Sequence, residues 1–300
     1  MHAVHVRSVL SKSLSTAQRA AASGFAPKAL ASLLVMGLAP AVAHAASLVP
    51  HRAVYEITLE RAKVGSGIGQ LRGRMVYELT GNACEGYTQN MRFVSRMVSP
   101  QGEATVSDMR TSSWEQGEGQ RFRFNSRQYR DDKLAQSTKG DARRRRKDKS
   151  INIRLSSPRK AKLALRPDVF FPVQHSIALL NAARAGRKVL QADLYDGSEK
   201  GDKVYATTSV IGLPLAPDAD AKLPAAKNGK VLRGLAAWPV SISYFEKDKA
   251  NADGVPVYEL AFRYYDNGVS RKLFIDYGEF SIRGRLSQIT FLKRGACAKP

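Results

Sequence analysis

One helix stands in a sequence that otherwise reads as β-strands, and this contrast constrains the fold more than any other feature. The stretch from Phe170 to Gly186 repeats its apolar residues at helical spacing. Pro172 suits the first turn, where a missing N–H costs nothing, and Gly186 suits the left-handed residue that ends a helix. The apolar stripe consists of Val173, Ser176, Ile177, Leu179, Leu180 and Ala183. Because a lone amphipathic helix must bury such a stripe, we expect it to pack on the sheet.

Strands are predicted on both sides of this helix, about twelve to fourteen in all, from alternating polar and apolar residues. Turn signals separate them, with Asp196-Gly197 and Asn267-Gly268 the strongest. An antiparallel sheet of that size must close or cover its edges. The sequence therefore predicts a mostly β, single-domain protein, in which a long antiparallel sheet curls as a β-spiral or open barrel around one central helix.

The first 45 residues are typical of an export signal. Four basic residues and no acid precede an apolar run over 29–42, which leads into the cleavage pattern Ala43-His44-Ala45. The run is short for a membrane span, and Gly37 and Pro40 interrupt it. We expect a signal peptide over residues 1–45, cleaved near Ala45, and one domain over residues 46–300. An uncleaved membrane anchor is the alternative.

The two cysteines, Cys84 and Cys297, both lie in the expected mature chain. In an exported protein an even pair is most simply a disulfide, although two unrelated thiols fit the sequence as well. A bridge between them would hold the early strands beside the C-terminus.

Positive charge is the strongest bias in the composition, with 48 Lys and Arg against 26 Asp and Glu. It is densest in one run that holds Arg143, Arg144, Arg145, Arg146 and Lys147. The simplest interpretation is a solvated loop between strands. The alternative is a contact for a polyanion: lipid phosphate of an anionic membrane surface, lipopolysaccharide or nucleic acid. Export and the lack of interleaved aromatic residues argue against nucleic acid.

No constellation of catalytic residues stands out in the sequence. The expected mature chain has two histidines, His51 at the entry to the first strand and His175 at the border of the helical stripe. Metal-binding spacings of Cys or His and the Gly-x-Ser-x-Gly elbow do not occur. We therefore predict a protein that is not an enzyme and has no cofactor, with a histidine-based envelope hydrolase as the remaining alternative.

Several short stretches, taken in order, resemble the EipB family of cell-envelope integrity proteins. They are Val49-Pro50-His51-Arg52-Ala53-Val54-Tyr55, Phe171-Pro172 with His175, Tyr195-Asp196-Gly197-Ser198, Asp202-Lys203-Val204-Tyr205 to Ile211-Gly212, Asn267-Gly268-Val269-Ser270, and Asp276-Tyr277-Gly278-Glu279-Phe280. Together these stretches span nearly the whole expected mature chain. The positions of the two cysteines near its ends also resemble the family's structural disulfide.

The resemblance implies a periplasmic β-spiral protein that supports envelope integrity and stress tolerance in a Gram-negative bacterium. It implies no enzymatic activity, and it implies a tetratricopeptide-repeat envelope protein as a partner. The architecture is also similar to that of periplasmic lipoprotein carriers. We therefore expect a non-catalytic envelope protein that acts through protein contacts, with a carrier or sensor of a lipid, acyl or lipoprotein ligand as the alternative.

Overall fold

The computed structural model describes residues 48–217, 219–220, 223–247, 254–295 and 297. The expected signal peptide and its cleavage point near Ala45 lie outside these residues. The described chain contains fifteen strands, one α-helix and a short 3-10 turn, Gly229–Leu232. The strands are β1 His51–Ala62, β2 Gln70–Asn82, β3 Gly86–Val98, β4 Ala104–Glu115, β5 Arg121–Arg130, β6 Lys133–Arg144, β7 Ile151–Ser157, β8 Ala161–Leu165, β9 Val169–Phe170, β10 Val189–Leu194, β11 Tyr205–Ile211, β12 Ala237–Glu246, β13 Tyr258–Tyr265, β14 Ser270–Asp276 and β15 Phe280–Phe291. The helix, α1, is Pro172–Arg184.

All fifteen strands form one sheet, whose order is β8-β7-β6-β5-β4-β3-β2-β1-β15-β14-β13-β12-β11-β10-β9. The first and last strands are therefore neighbours in its middle, whereas β8 and β9 form its two edges. A flat sheet of this size would be about 65 Å wide. The chain from Leu165 to Val169, which links the two edges, can span at most about 14 Å. The sheet must therefore curl until its edges approach each other, which confirms the expected barrel-like β fold with one helix.

The helix exists because of the one parallel pair in the sheet. Strands β9 and β10 run parallel, with Val169 opposite Asp193, while every other neighbouring pair is antiparallel. Parallel neighbours need a crossover connection, which is commonly a helix. Helix α1 provides it, begins at Pro172 and is followed by Gly186 at φ +69°. The expected start and stop residues are both confirmed.

The apolar stripe of the helix faces the interior, as predicted. Leu179, Leu180 and Ala183 are buried. The buried side is nevertheless wider than the stripe, since His175 and Ala182 are also buried. A sheet that curls around the helix covers more of its circumference than a flat sheet would.

Strand β6 was not predicted. The basic run over residues 143–147 was interpreted as a solvated loop, which is wrong for Arg143 and Arg144, since both lie in β6. In the structure β6 continues through Arg144, and the turn between β6 and β7 begins only at Arg145. Polar and small residues fill most of β6, so the apolar alternation that marks a half-buried strand is missing.

A disulfide joins Cys84, in the turn between β2 and β3, to Cys297, beyond the end of β15. Their Cα atoms lie 5.7 Å apart. The bridge lies close to the middle of the sheet, where β1 pairs with both β2 and β15.

Candidate functional site

The N-terminus of helix α1 is bound by a carboxylate from a distant strand. Glu115, the last residue of β4, accepts hydrogen bonds from the backbone N–H groups of Val173 (2.7 Å) and Gln174 (2.9 Å). These are two of the donors that a helix leaves unpaired at its start. The local cap residue is Phe171, whose side chain cannot accept a hydrogen bond, so Glu115 supplies what the local sequence lacks. Glu115 lies 58 residues before Val173, and local sequence patterns therefore did not reveal it.

Glu115 lies in an environment that favours its protonated form. Glu115 is only 1% exposed, and this burial raises the pKa of its carboxyl group to about 8. The two backbone N–H groups and the positive charge of Arg144 act in the opposite direction and lower the pKa by smaller amounts. The helix start is thus held by a carboxyl group whose charge changes near neutral pH.

Arg144 has a different environment from its neighbours in the basic run. Its guanidinium group donates to the carbonyl oxygen of Val169 (2.9 Å) and to that of Pro167, and lies 5.5 Å from the ring centroid of Phe171. These contacts connect β6 to the segment that leads into the helix. Arg144 is therefore half-buried and occupied by internal contacts rather than presented to solvent.

The other four basic residues of the run are exposed on the surface. Arg143 forms an ion pair with Asp141 (2.8 Å), and Arg145 lies 3.5 Å from Asp148. Arg146 and Lys147 lie in the turn after β6. The run is thus divided between the end of a strand and a short turn, and its charge is partly neutralised by neighbouring aspartates.

His175 is buried in the helix face that contacts β11. Its Nε2 atom lies 3.3 Å from the hydroxyl oxygen of Thr207, and that hydroxyl donates to the carbonyl oxygen of Ala192 (2.8 Å). Since the Thr207 hydrogen is used in this way, Nε2 of a neutral His175 donates to Thr207. Burial lowers the pKa of His175 to about 4, so the ring stays neutral at physiological pH.

His51 is equally enclosed at the start of β1. It is 1% exposed, its Nδ1 lies 2.7 Å from the carbonyl oxygen of Val49, and its ring centroid lies 5.6 Å from that of Tyr77. Burial lowers its pKa as well. The flanking residues have separate roles: Pro50 accepts a backbone hydrogen bond from Leu292, and Arg52 points outward to Glu78 (2.7 Å).

The Asn267-Gly268 turn contacts the segment that begins at Val49 and leads into β1. The carbonyl oxygen of Asn267 accepts from the backbone N–H of Val49 (3.0 Å). A Cβ atom at Gly268 would lie 2.7 Å from the side chain of Leu48, so only glycine allows this contact. Two segments that lie far apart in the sequence thus come together at one end of the sheet. The helix reaches the same turn, since Arg184 donates to Asp266 (2.5 Å).

The Asp196-Gly197 segment packs against β5. Asp196 accepts from the backbone N–H of Ser198 (2.8 Å), and burial of its carboxyl group raises its pKa. Gly197 adopts φ +69°, and a Cβ atom there would lie 2.4 Å from the ring of Phe124. The preceding Tyr195 is fully buried with Phe122, Phe124 and Phe171 in a second, smaller core cluster.

The motif residues therefore lie at several places in the fold and not in one cleft. His175 links the helix to β11, and the Asn267-Gly268 turn contacts the segment before β1. In the described ranges no group of three His, Cys, Asp or Glu side chains could hold a metal ion.

A row of aromatic residues on the inner face of the sheet was not singled out in the sequence. Tyr244 and Tyr258 stack with their ring centroids 4.2 Å apart, and Tyr205 contacts Tyr244 edge-on at 6.2 Å. The row continues through Tyr277 to Phe280, whose rings stack at 4.9 Å. The sequence alone gives no signal for this row, because it depends on the register that places Tyr244 opposite Tyr258 on β12 and β13.

Other inward-facing apolar side chains are incompletely covered. In the register of the sheet Met75 lies between Tyr55, which is buried, and Phe93. Side chains directly opposite each other share one face, so Met75 and Phe93 point inward. We call the half-buried inward set the concave apolar surface; it consists of Met75, Phe93, Met97, Tyr258, Leu260, Ile275 and Phe280. The helix therefore leaves part of the inner face accessible to solvent.

A cleft of about 490 Å³ is lined by described residues of the segment between β11 and β12. Leucines line much of it, and Arg271 is its buried cation. That guanidinium group donates to the carbonyl oxygen of Pro224 (2.9 Å) and to Asp220 (3.3 Å). Arg271 thus holds the segment in place, and its donors are engaged within the chain.

The described part of the chain contains no helix that is both long and apolar enough to cross a bilayer.

Comparisons with known proteins agree with the fold and with the motif segments. Residues 42–293 match the sequence profile of the EipB-like family. The chain is 42% identical over 258 residues to the cell envelope integrity protein EipB of Brucella abortus (strain 2308), covering 86% of this chain and 89% of the relative. A crystal structure of a beta-barrel-like protein from Brucella abortus, assigned to a domain of unknown function, superposes with a TM-score of 0.73 at 40% identity, covering 82% of this chain and 99% of that chain.

Proposed function

Because the chain belongs to the EipB-like family, we propose that it is a non-catalytic periplasmic protein that maintains cell-envelope integrity and stress resistance through contacts with another envelope protein. The placement of the family-motif residues carries this proposal. His51 and His175 are buried, and each is hydrogen-bonded within the chain, His51 to Val49 and His175 to Thr207. Their internal hydrogen bonds support a role in building the scaffold and leave neither imidazole exposed to a substrate.

The curated relative supports the envelope role, since it is named for cell envelope integrity and is similar over most of its length. The family resemblance implies a tetratricopeptide-repeat envelope protein as the class of partner. The disulfide supports an oxidising compartment such as the periplasm, where such bonds persist.

Deletion of the gene tests the envelope role. We expect the deletion strain to become sensitive to detergent and to cell-wall drugs, and to recover when the full chain is returned on a plasmid. A chain returned without residues 1–45 is the control, since it should not reach the envelope and should not restore resistance. An unchanged detergent and drug profile in the deletion strain would contradict the proposal.

A second candidate function rests on the concave apolar surface, which favours a carrier or sensor of an acyl chain. Ligand pockets are mostly apolar with few polar groups, and this surface has that character. Phe93 and Leu260 lie on strands that come from opposite sides of the β1–β15 pair, so one ligand could contact both halves of the sheet.

Native mass spectrometry of protein purified from the periplasm tests the carrier function. We expect a bound lipid, and we expect uptake of a fluorescent acyl probe that Phe93→Ala weakens. Val94→Ala is the matched control, because the next residue on β3 faces outward. Repeated absence of bound lipid, together with no uptake of the probe, rules this function out.

A further inference from the structure

The outer face of strands β3, β4 and β5 is strongly basic. Because side chains alternate between the two faces of a strand, the neighbours of the buried residues Tyr87, Ser95 and Phe122 point outward. The ionisable side chains at these outward positions are six arginines and one aspartate. We call this set the arginine face; it consists of Arg92, Arg96, Asp108, Arg110, Arg121, Arg123 and Arg127.

The register of the sheet brings three of these arginines together. Arg92 on β3 lies opposite Arg110 on β4, and Arg110 lies opposite Arg127 on β5. Like charges directly opposite each other destabilise a sheet. The row of three arginines therefore destabilises the sheet, and the stability of the fold does not explain why these arginines are present.

One acid relieves only part of this repulsion. Asp108 accepts from both Arg92 (2.8 Å) and Arg110 (2.6 Å), and these hydrogen bonds lower its pKa to about 2. Arg96 and Arg127 are exposed and form no ion pair with any described residue. Their charges are available to an external anion.

Two aromatic side chains accompany the arginines on the same face. The guanidinium carbon of Arg123 lies 4.7 Å from the ring centroid of Trp114, and that of Arg110 lies 5.0 Å from the ring centroid of Tyr129. Trp and Tyr are enriched where a protein meets lipid headgroups, because their rings are apolar with one polar edge. The face thus combines phosphate-binding groups with interfacial aromatic rings.

We propose that the arginine face is a docking surface for a membrane leaflet that contains anionic lipids, whose phosphate groups contact Arg96 and Arg127. Charge complementarity selects this occupant, since a guanidinium group can bind a phosphate through two parallel N–H donors. Neighbouring strands lie about 4.8 Å apart, so the row offers several cations to adjacent headgroups. The surface lies on the strands themselves and not in the basic run, where Arg144 points inward.

Vesicle binding by the purified mature protein tests the proposal. We expect it to co-sediment with phosphatidylcholine vesicles only when they contain phosphatidylglycerol, and to be released at about 0.5 M salt because screening weakens exposed charges. The variant Arg96→Glu/Arg127→Glu should bind at least tenfold more weakly, by roughly the known contribution of basic residues near an anionic surface. Neither residue has an ion pair to lose, so the fold should be retained.

The matched control is Lys188→Glu/Arg285→Glu, which makes the same change in net charge at exposed positions outside this face. It should bind vesicles within about twofold of the wild type, since surface charges beyond a Debye length act weakly. The fluorescence of Trp114 should change on binding, and this change should disappear in Trp114→Phe while the buried Trp238 remains.

Three results would overturn the proposal: equal loss of binding in the two double variants, wild-type binding by Arg96→Glu/Arg127→Glu, or binding to soluble heparin without binding to anionic vesicles. The proposal rests on the envelope location proposed above, but its test does not. A deletion strain with normal drug resistance would contradict the envelope function, whereas failure of vesicle binding would contradict only the docking surface.

Discussion

At the scale of single residues, two buried titratable groups near the start of helix α1 have pKa values shifted in opposite directions, because burial favours the neutral form of each. Burial raises the pKa of Glu115 to about 8 and lowers that of His175 to about 4. Between pH 4.5 and 8 the folded chain binds more protons at Glu115 than the unfolded chain does, so this group's contribution to stability falls as pH rises. Between pH 4 and 6.5 the folded chain binds fewer protons at His175 than the unfolded chain does. The contribution of His175 to stability therefore rises with pH in this window.

Replacing Glu115 by Gln should isolate its contribution. The wild type should lose stability relative to Glu115→Gln as pH rises through the window from 4.5 to 8, by at most about 1.4 kcal/mol per pH unit. His175 is present in both proteins, so its own pH dependence cancels in this difference. Urea denaturation from pH 4 to 8 measures both proteins, and a difference that is independent of pH would contradict the account.

Gly197→Ala tests the contact of the Asp196-Gly197 segment with the small core cluster. The new methyl group would both strain a residue at φ +69° and meet the ring of Phe124 at 2.4 Å. We expect a loss of roughly 2–4 kcal/mol in the free energy of unfolding. Gly67→Ala has a similar φ of +72° in open space and should cost no more than about 1 kcal/mol. Equal losses, measured by chemical denaturation, would show that the contact with Phe124 contributes nothing.

At the scale of elements, the helix is both the crossover between β9 and β10 and a large part of the core. Its start, its end and its apolar stripe were predictable, because Pro172, Gly186 and the helical spacing are local signals. The hydrogen bonds from the helix start to Glu115 were not predictable, because they depend on which strand ends beside the helix. Strand β6 was not predictable either. It forms because it pairs with β5 and β7, although its own sequence has little apolar alternation.

Leu180→Ala measures what the helix contributes to the core. Leu180 is 0% exposed within the main core cluster, so we expect a loss of roughly 3 kcal/mol from lost burial and the cavity left behind. Leu213→Ala makes the same chemical change at a residue that is 69% exposed, and it should cost less than about 0.5 kcal/mol. Thermal and urea unfolding compare the two, and similar losses would mean that the helix is not an integral part of the core.

At the scale of the whole molecule, the sheet is closed by pairing its first and last strands in the middle and by bringing its two edges together. The barrel-like β fold followed from alternation and turn signals, although the predicted twelve to fourteen strands fall short of the fifteen in the structure. The strand order did not, because the pairing of β1 with β15 is a contact between opposite ends of the chain. The motif residues were found by resemblance, whereas the concave apolar surface and the arginine face emerge only from the register.

The disulfide should stabilise this long-range closure. Cys84 and Cys297 are separated by 213 positions, and loop-closure entropy gives an upper limit of about 5 kcal/mol for such a bridge. We expect Cys84→Ser/Cys297→Ser to fold with the same circular dichroism spectrum and to unfold at lower urea concentration. Reductant should lower the stability of the wild type to that of the variant and leave the variant unchanged. A variant as stable as the oxidised wild type would contradict this role.

Complementation of the deletion strain by variants of the buried titratable groups tests the central claim, that the protein acts without catalysis, most directly. His51→Gln, His175→Gln, Glu115→Gln and Asp196→Asn would each be returned singly, with survival on detergent measured at equal protein levels. We expect wild-type survival for every variant that folds with normal stability. A variant that is folded and abundant, yet survives no better than the deletion strain, would show that the side chain takes part in chemistry and would contradict the account.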